Sequence, residues 1–234
     1  MKKIFREFSK FEIGLWCCSV LGIILSFIPG SERDVLTLIG SLIGVTALIF
    51  LAKGNVTGQI LTVVFSIFYG VSSFGFHYYG EMITYLCMTG PIALISTVTW
   101  LKNPSEKGKN EVRIAAVTMR KFVLIILLTV AVTFVFYYIL AYFNTPNLVF
   151  STISIATSFA ASSLTVVRSP FYAVAYACND IVLVVLWLLA AIESISYLPM
   201  VVCFLIFLVN DIYGFINWSH MAKKQAGFES PQNS

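Results

Sequence analysis

Two carboxylates lie where carboxylates are costly. Asp180 and Asp211 each sit inside a long apolar run, and each follows an asparagine, giving Asn179-Asp180 and Asn210-Asp211. An ionisable side chain within a membrane span is a functional-site hypothesis by default, because lipid cannot solvate it. The spacing sorts their neighbours. Tyr172, Tyr176 and Asp180 are four apart, so on a helix they line one face, with Asn179 at its border. Asn210 and Tyr213 are three apart, with Gly214 one turn on from Asn210. If these two helices are neighbours, their polar stripes face one cavity. Aromatic faces attract flat rings and cations. Asp supplies a negative field, and an Asn amide both donates and accepts, which suits hydroxyl groups. The set fits a small, flat, cationic ring carrying a sugar or an alcohol. The structural alternative is a helix-to-helix network in which Asn and Asp satisfy one another. Asp211 has a further bland explanation, capping a kink or meeting water near a helix end.

In the first half of the chain the corresponding candidates are Gln59, Tyr69, Thr84, Tyr85 and Met88. Gln59, near a helix start, is equally explained by interfacial water, and Phe65, Phe68 and Tyr69 by packing. The candidate substrate-binding set is therefore Tyr69, Thr84, Tyr176, Asn179, Asp180, Asn210, Asp211 and Tyr213. The sequence has no G-x-x-x-x-G-K-[ST] loop, H-E-x-x-H motif or filter-like loop. It reads as a carrier of a small polar molecule, with no catalytic residue, metal or cofactor. A membrane receptor or assembly partner that binds without carrying is the reading from another class. Cys17, Cys18, Cys87, Cys178 and Cys203 all lie in apolar runs and form no C-x-x-C pair. They read as small hydrophobes. His77 and His220 read as interfacial.

The elements that must position these residues follow from composition. Of the 234 residues 59% are hydrophobic and 11% charged, against roughly 25% charged in soluble domains. Lipid is the solvent that accepts such a surface. Eight runs approach the roughly 20 residues a helix needs to cross the hydrocarbon core: 11–28, 35–52, 56–76, 82–101, 122–143, 148–167, 171–192 and 198–218. The run 148–167 is rich in Ser and Thr, which predicts packing against protein. The first run reads as a retained anchor, being long for a signal peptide and lacking a cleavage-like site. Pro91 inside the fourth run predicts a kink. Trp100 and Trp218, at span ends, read as interfacial anchors. The expected fold is an all-α integral membrane protein of eight transmembrane helices.

Charge tests that count. With a cytoplasmic N-terminus, fourteen of the fifteen Lys and Arg fall on the cytoplasmic side, only Arg33 lying outside. Lys2, Lys3, Arg6, Lys10, Lys53, Lys107 and Lys109 are among the inner set, while Glu32, Asp34, Glu81 and Glu193 fall in outer turns. Positive charge is retained in the cytoplasm during insertion, so both termini are expected there. The net charge of +4 then reports topology and not nucleic-acid binding.

The spans also repeat. Tyr69, Met82 and Trp100 have counterparts Trp187, Met200 and Trp218, each 118 residues later. This divides the chain into an N-terminal segment with an extra helix (1–34), a first triplet (35–101), a basic loop with a linker helix (102–147), a second triplet (148–218) and a tail (219–234). One helix between two triplets makes the repeat parallel, with a substrate site expected between the halves near the midplane.

At these residues the sequence resembles the PnuC family of vitamin transporters. The stretches that carry the resemblance are KGNVTGQILTVVFSIFYG, YYGEMITYLCMTGP, RSPFYAVAYACNDIVLVVLW and LPMVVCFLIFLVNDIYGFINW. The resemblance implies a bacterial inner-membrane facilitator with a three-plus-one-plus-three helix plan. It implies nicotinamide riboside as substrate, with thiamine or riboflavin in related members, and a cytoplasmic kinase that traps the product. It also makes a homo-oligomer, a trimer, unsurprising. The family's seventh-helix pattern W-x-x-x-N is matched by Tyr176 and Asp180, with Asn179 adjacent. The change keeps an aromatic face and adds an acid, which suits a pyridinium or thiazolium cation.

Overall fold

The computed structural model describes residues 8–28, 35–105 and 111–229. Among the described residues eight long helices follow in order: α1 (Lys10–Ser26), α2 (Val35–Ala52), α3 (Val56–Gly75), α4 (Tyr79–Leu101), α5 (Met119–Tyr142), α6 (Leu148–Val166), α7 (Phe171–Glu193) and α8 (Leu198–Glu229). Among the described residues, extended pairing is limited to two isolated bridges, Asn55 with Glu111 and Pro104 with Val112. The 7 helices α2–α8 are long and apolar enough to cross a membrane. Helix α1, at 17 residues, sits at the lower limit of about 17 for a span. A capping box starts it: Ser9 accepts from the Glu12 backbone while the Glu12 side chain reaches back to Ser9. Of the charges used to orient the chain, Lys2, Lys3, Arg6, Glu32, Arg33, Asp34, Lys107 and Lys109 lie outside the described residues.

Three boundaries differ from the sequence expectation. Helix α4 starts at Tyr79, ahead of Met82, and widens into a π-helical stretch at Thr84–Thr89. Proline lacks an N–H, and its ring would press on the carbonyl four residues back. A π turn just ahead of Pro91 accommodates both. Helix α5 starts at Met119, ahead of Phe122. Helix α8 continues past Trp218 to Glu229, so much of the expected tail is helix. Apolar-run counting stops where the chain turns polar, but Gln225 gives that polar end a partner. It accepts from Ile114 N–H at 2.8 Å and donates to Val112 O at 3.2 Å.

The described part of the basic loop crosses the end of the bundle. Val112 N–H donates to Gly54 O (2.9 Å) and Ala115 N–H to Arg168 O (3.1 Å). Gly54 (φ 64°) and Arg168 (φ 62°) are left-handed corners between the first and second helices of each triplet. Glycine takes that conformation freely, whereas arginine pays a steric cost. Inside the first corner α2 and α3 touch backbone to backbone: a Cβ on Gly58 would lie 2.6 Å from Leu51 N. Helix α5 is peripheral, with only 6% of its apolar stretch buried.

Two pairs of residues 118 apart meet their own counterparts. Trp187 donates its indole N–H to Tyr69 Oη at 3.0 Å, and the rings of Trp100 and Trp218 lie 5.4 Å apart. A two-fold relation brings a residue onto its counterpart only near the axis, so these contacts mark two points along it. They also correct the expectation for the tryptophans. Trp100 and Trp218 are fully buried. Their indoles donate across the halves, Trp100 to Thr165 O (3.0 Å) and Trp218 to Leu51 O (2.8 Å). A buried indole needs an acceptor for its N–H, and the carbonyl ends of α6 and α2 provide one.

Candidate functional site

Helices α2, α3, α4, α7 and α8 together line a small cavity. Gly44, Ala47, Leu48 and Leu51 of α2 and Gln59, Thr62 and Phe65 of α3 form one wall. The other is formed by Tyr85 and Thr89 of α4, Tyr176, Asn179 and Asp180 of α7, and Phe204, Phe207 and Asp211 of α8. Elsewhere on α7, Tyr172 packs on Trp218, ring centroids 4.7 Å apart, and Trp187 packs on Tyr78 at 4.8 Å. Asp180 is eight residues from Tyr172 and seven from Trp187, about 10–12 Å from each at ~1.5 Å per residue.

Helix α6 stands behind α7 and explains its Ser and Thr content. Thr157 and Ser158 donate to Asn179 Oδ1 at 2.8 and 3.0 Å, and Ser162 pairs with the Tyr176 hydroxyl at 3.0 Å. These contacts hold two cavity side chains in place. Asp180 and Asp211 both line the cavity, and both are buried, at 3% and 4% exposure. Asp180 Oδ2 and Gln59 Nε2 have no hydrogen-bond partner. No Lys, Arg or His is among the lining residues. The cavity thus presents two acids, an unpaired amide donor, two threonines and several ring faces, without a cation of its own.

Of the candidate set, Tyr176, Asn179, Asp180 and Asp211 line the cavity. The other four are placed elsewhere. Tyr69 accepts from Trp187 and faces Glu81 Oε2 at 3.4 Å. The Thr84 hydroxyl donates to Gly80 O at 2.7 Å. Asn210 Nδ2 donates to Ser19 Oγ (3.1 Å), and Tyr213 Oη to Glu12 Oε1 (2.8 Å), both on α1. The reason is helical periodicity. Phe204, Phe207 and Asp211 form one stripe of α8; Ile206, Asn210 and Tyr213 form another, turned toward the extra helix. Glu12, 2% exposed, also binds Lys53 at 3.2 Å. Glu81 is another correction: expected in an outer turn, it is 1% exposed and accepts from Ser154 at 2.8 Å.

Gln59 and Tyr85 line the cavity although the candidate set left them out, and Thr62 and Thr89 went unnoticed. Gln59, Thr62 and Phe65 follow helical i, i+3, i+6 spacing, a signal that was available. Thr89 belongs to the π-helical stretch, whose altered register hides its direction from a regular helical reading.

Comparison with known proteins places this geometry among membrane transporters. Residues 34–220 match the sequence family described as "Nicotinamide mononucleotide transporter". The chain is 24% identical over 230 residues to a protein of Neisseria mucosa named "Nicotinamide riboside transporter PnuC", covering 97% of this chain and 87% of that one. A Haemophilus influenzae protein of the same name is 23% identical over 190 residues, covering 81% of each. The fold is similar to the "Crystal structure of the Vitamin B3 transporter PnuC", with TM-score 0.82, 21% identity and coverage of 95% and 96%.

Proposed function

The chain belongs to the nicotinamide mononucleotide transporter family, and we propose that its substrate is nicotinamide riboside and not the mononucleotide. The observation that carries this reading is the charge of the cavity: two buried acids and no basic lining residue. Phosphate is held by Arg, Lys or backbone N–H groups, and a phosphate beside Asp180 and Asp211 would meet like charge. The riboside has a cationic pyridinium and no phosphate. The names of the two relatives support the same choice. In this reading the ring stacks on Tyr176, and Asp180 and Asp211 face its positive charge. Asn179, Gln59 and the threonines meet the ribose hydroxyls.

Passage is by facilitated diffusion, with the two triplets, 35–101 and 148–218, rocking about the cavity. Phosphorylation by a cytoplasmic kinase traps the product, because a phosphate added to the riboside no longer suits an acidic cavity. The setting is the bacterial inner membrane, with both termini cytoplasmic as the basic residues favour. Thiamine is the second reading, since its thiazolium matches the acid pair equally well.

The test is thermal stabilisation of the purified protein by nicotinamide riboside, its mononucleotide, thiamine, riboflavin and a deoxynucleoside. A ligand that binds only the folded state raises apparent stability. A shift with the riboside and none with the mononucleotide is expected. A larger shift with thiamine would replace the substrate, and a shift with the mononucleotide would overturn the charge argument.

A further inference from the structure

We infer that Glu81 is the gate residue at one end of the passage: it joins the two triplets beside the cavity, and its release from Ser154 opens the cavity toward the α3–α4 and α7–α8 turns. The inference requires a carrier that opens between its halves. It does not depend on which small molecule is carried.

Glu81 is the third residue of α4, close to the turn from α3, and is 1% exposed. A carboxyl group that deep needs hydrogen-bond donors, and it finds one in each triplet. Ser154 of α6 donates to Oε1 at 2.8 Å. Tyr69 of α3 donates to Oε2 at 3.4 Å and accepts from the Trp187 indole of α7 at 3.0 Å. Two hydrogen bonds therefore cross between the triplets, α6 to α4 and α7 to α3, and Glu81 links them into one network.

That network lies against the cavity. The Tyr69 ring packs on Tyr85 at 4.2 Å and on Phe65 at 5.5 Å, and both of these line the cavity. On the other side the rings continue toward the turns, Tyr69 to Trp187 at 6.4 Å and Trp187 to Tyr197 at 5.8 Å. Tyr197 is partly exposed. Packed together, these rings fill the space between the cavity and that end. Moved apart with the triplets, they line a route whose faces suit a flat or cationic ring.

Three features fit a contact made to break. Ser154 Oγ has a second acceptor, Ser151 O at 3.1 Å, so the hydroxyl that leaves Glu81 stays satisfied. The freed acid needs a new partner, which water or an entering polar ligand supplies, so opening and entry favour each other. Helix α4 also turns π-helical three residues after Glu81, over Thr84–Thr89. A π turn interrupts the regular ladder and is frequent at functional sites. It gives the first turn of α4 a joint on which to move.

Cys203 reports on the gate. It is 1% exposed and packs in the same buried cluster as Tyr69, Tyr85 and Trp187. Cys17, Cys18, Cys87 and Cys178 are exposed and are replaced by alanine. The test is the rate at which a membrane-impermeant cationic methanethiosulfonate labels Cys203 of the full-length chain in sealed vesicles, with the reagent applied to each face in turn. Ser154→Ala and Tyr69→Phe each remove only a hydroxyl from the network. Each should speed labelling from the face of the α3–α4 turn by about two- to tenfold, the factor that one hydrogen bond contributes to an equilibrium. Thr152→Val removes an α6 hydroxyl that bonds within its own helix and should leave the rate unchanged. Glu81→Ala should exceed both hydroxyl variants, which decide the matter by themselves if it does not fold. A merely structural network would lower the melting temperature of these variants with no gain in labelling. Unchanged labelling in both folded hydroxyl variants, or faster labelling from the opposite face alone, would overturn the gate and leave the substrate reading untouched.

Discussion

Gln59→Leu separates a ligand-binding amide from a structural one, because the two roles predict opposite signs. Gln59 is 2% exposed, and its Nε2 finds no acceptor in the empty protein. A buried, unsatisfied donor costs about 1–3 kcal/mol. Leucine fills nearly the same volume without a polar atom, so the substitution removes that cost and leaves little void. The empty protein should become more stable, by about 2–4 °C in melting temperature per kcal/mol recovered for a chain of this length. The ligand, in turn, loses one hydrogen bond of about 0.5–1.5 kcal/mol, which weakens binding roughly two- to twelve-fold. The assay is thermal denaturation in detergent, without and with saturating nicotinamide riboside, together with a binding isotherm. Stability should rise in the empty protein while the ligand-induced shift shrinks. A destabilised variant with unchanged affinity would refute the reasoning and make Gln59 a packing residue.

Other substitutions test the surrounding arrangement. Tyr176→Phe keeps the ring and loses the Ser162 contact, so affinity should change little; Tyr176→Ala removes the face and should cost about tenfold or more in a binding assay. Trp218→Phe breaks the bond to Leu51 O and should destabilise by about 1–3 kcal/mol in denaturation, whereas an interfacial tryptophan would tolerate it. Gly58→Ala sets a Cβ against Leu51 N and should cost about 1–3 kcal/mol through overpacking. Because Gln59 is the next residue, affinity in the same protein should fall too.

The spans were legible because lipid imposes one requirement, a long apolar run, on every crossing helix. The axis was legible in part: the spacing of Tyr69 from Trp187 and of Trp100 from Trp218 is written in the chain, and both pairs meet. The site was half legible. Periodicity places Tyr176, Asn179 and Asp180 on or beside one face of α7, and all three line the cavity. On α8 two stripes compete, and nothing within one helix says which neighbour takes which. Helix α1 takes Asn210 and Tyr213 through Ser19 and Glu12, a tertiary choice that residue types do not encode. The tryptophans fail for a similar reason. A preference for interfaces is an average over proteins, and the carbonyls of Thr165 and Leu51 override it here. The π-helical stretch at Thr84–Thr89 shifts register without leaving a pattern that apolar spacing can detect.

The most direct measurement is uptake of labelled nicotinamide riboside into liposomes containing the purified protein, compared with the Asp180→Asn, Asp211→Asn double variant. Saturable uptake by the native chain, competed by unlabelled riboside and not by the mononucleotide, with little uptake by a folded double variant, is the predicted result. Equal transport of the mononucleotide, saturable binding without uptake, or a double variant that carries the riboside as well as the native protein would contradict it.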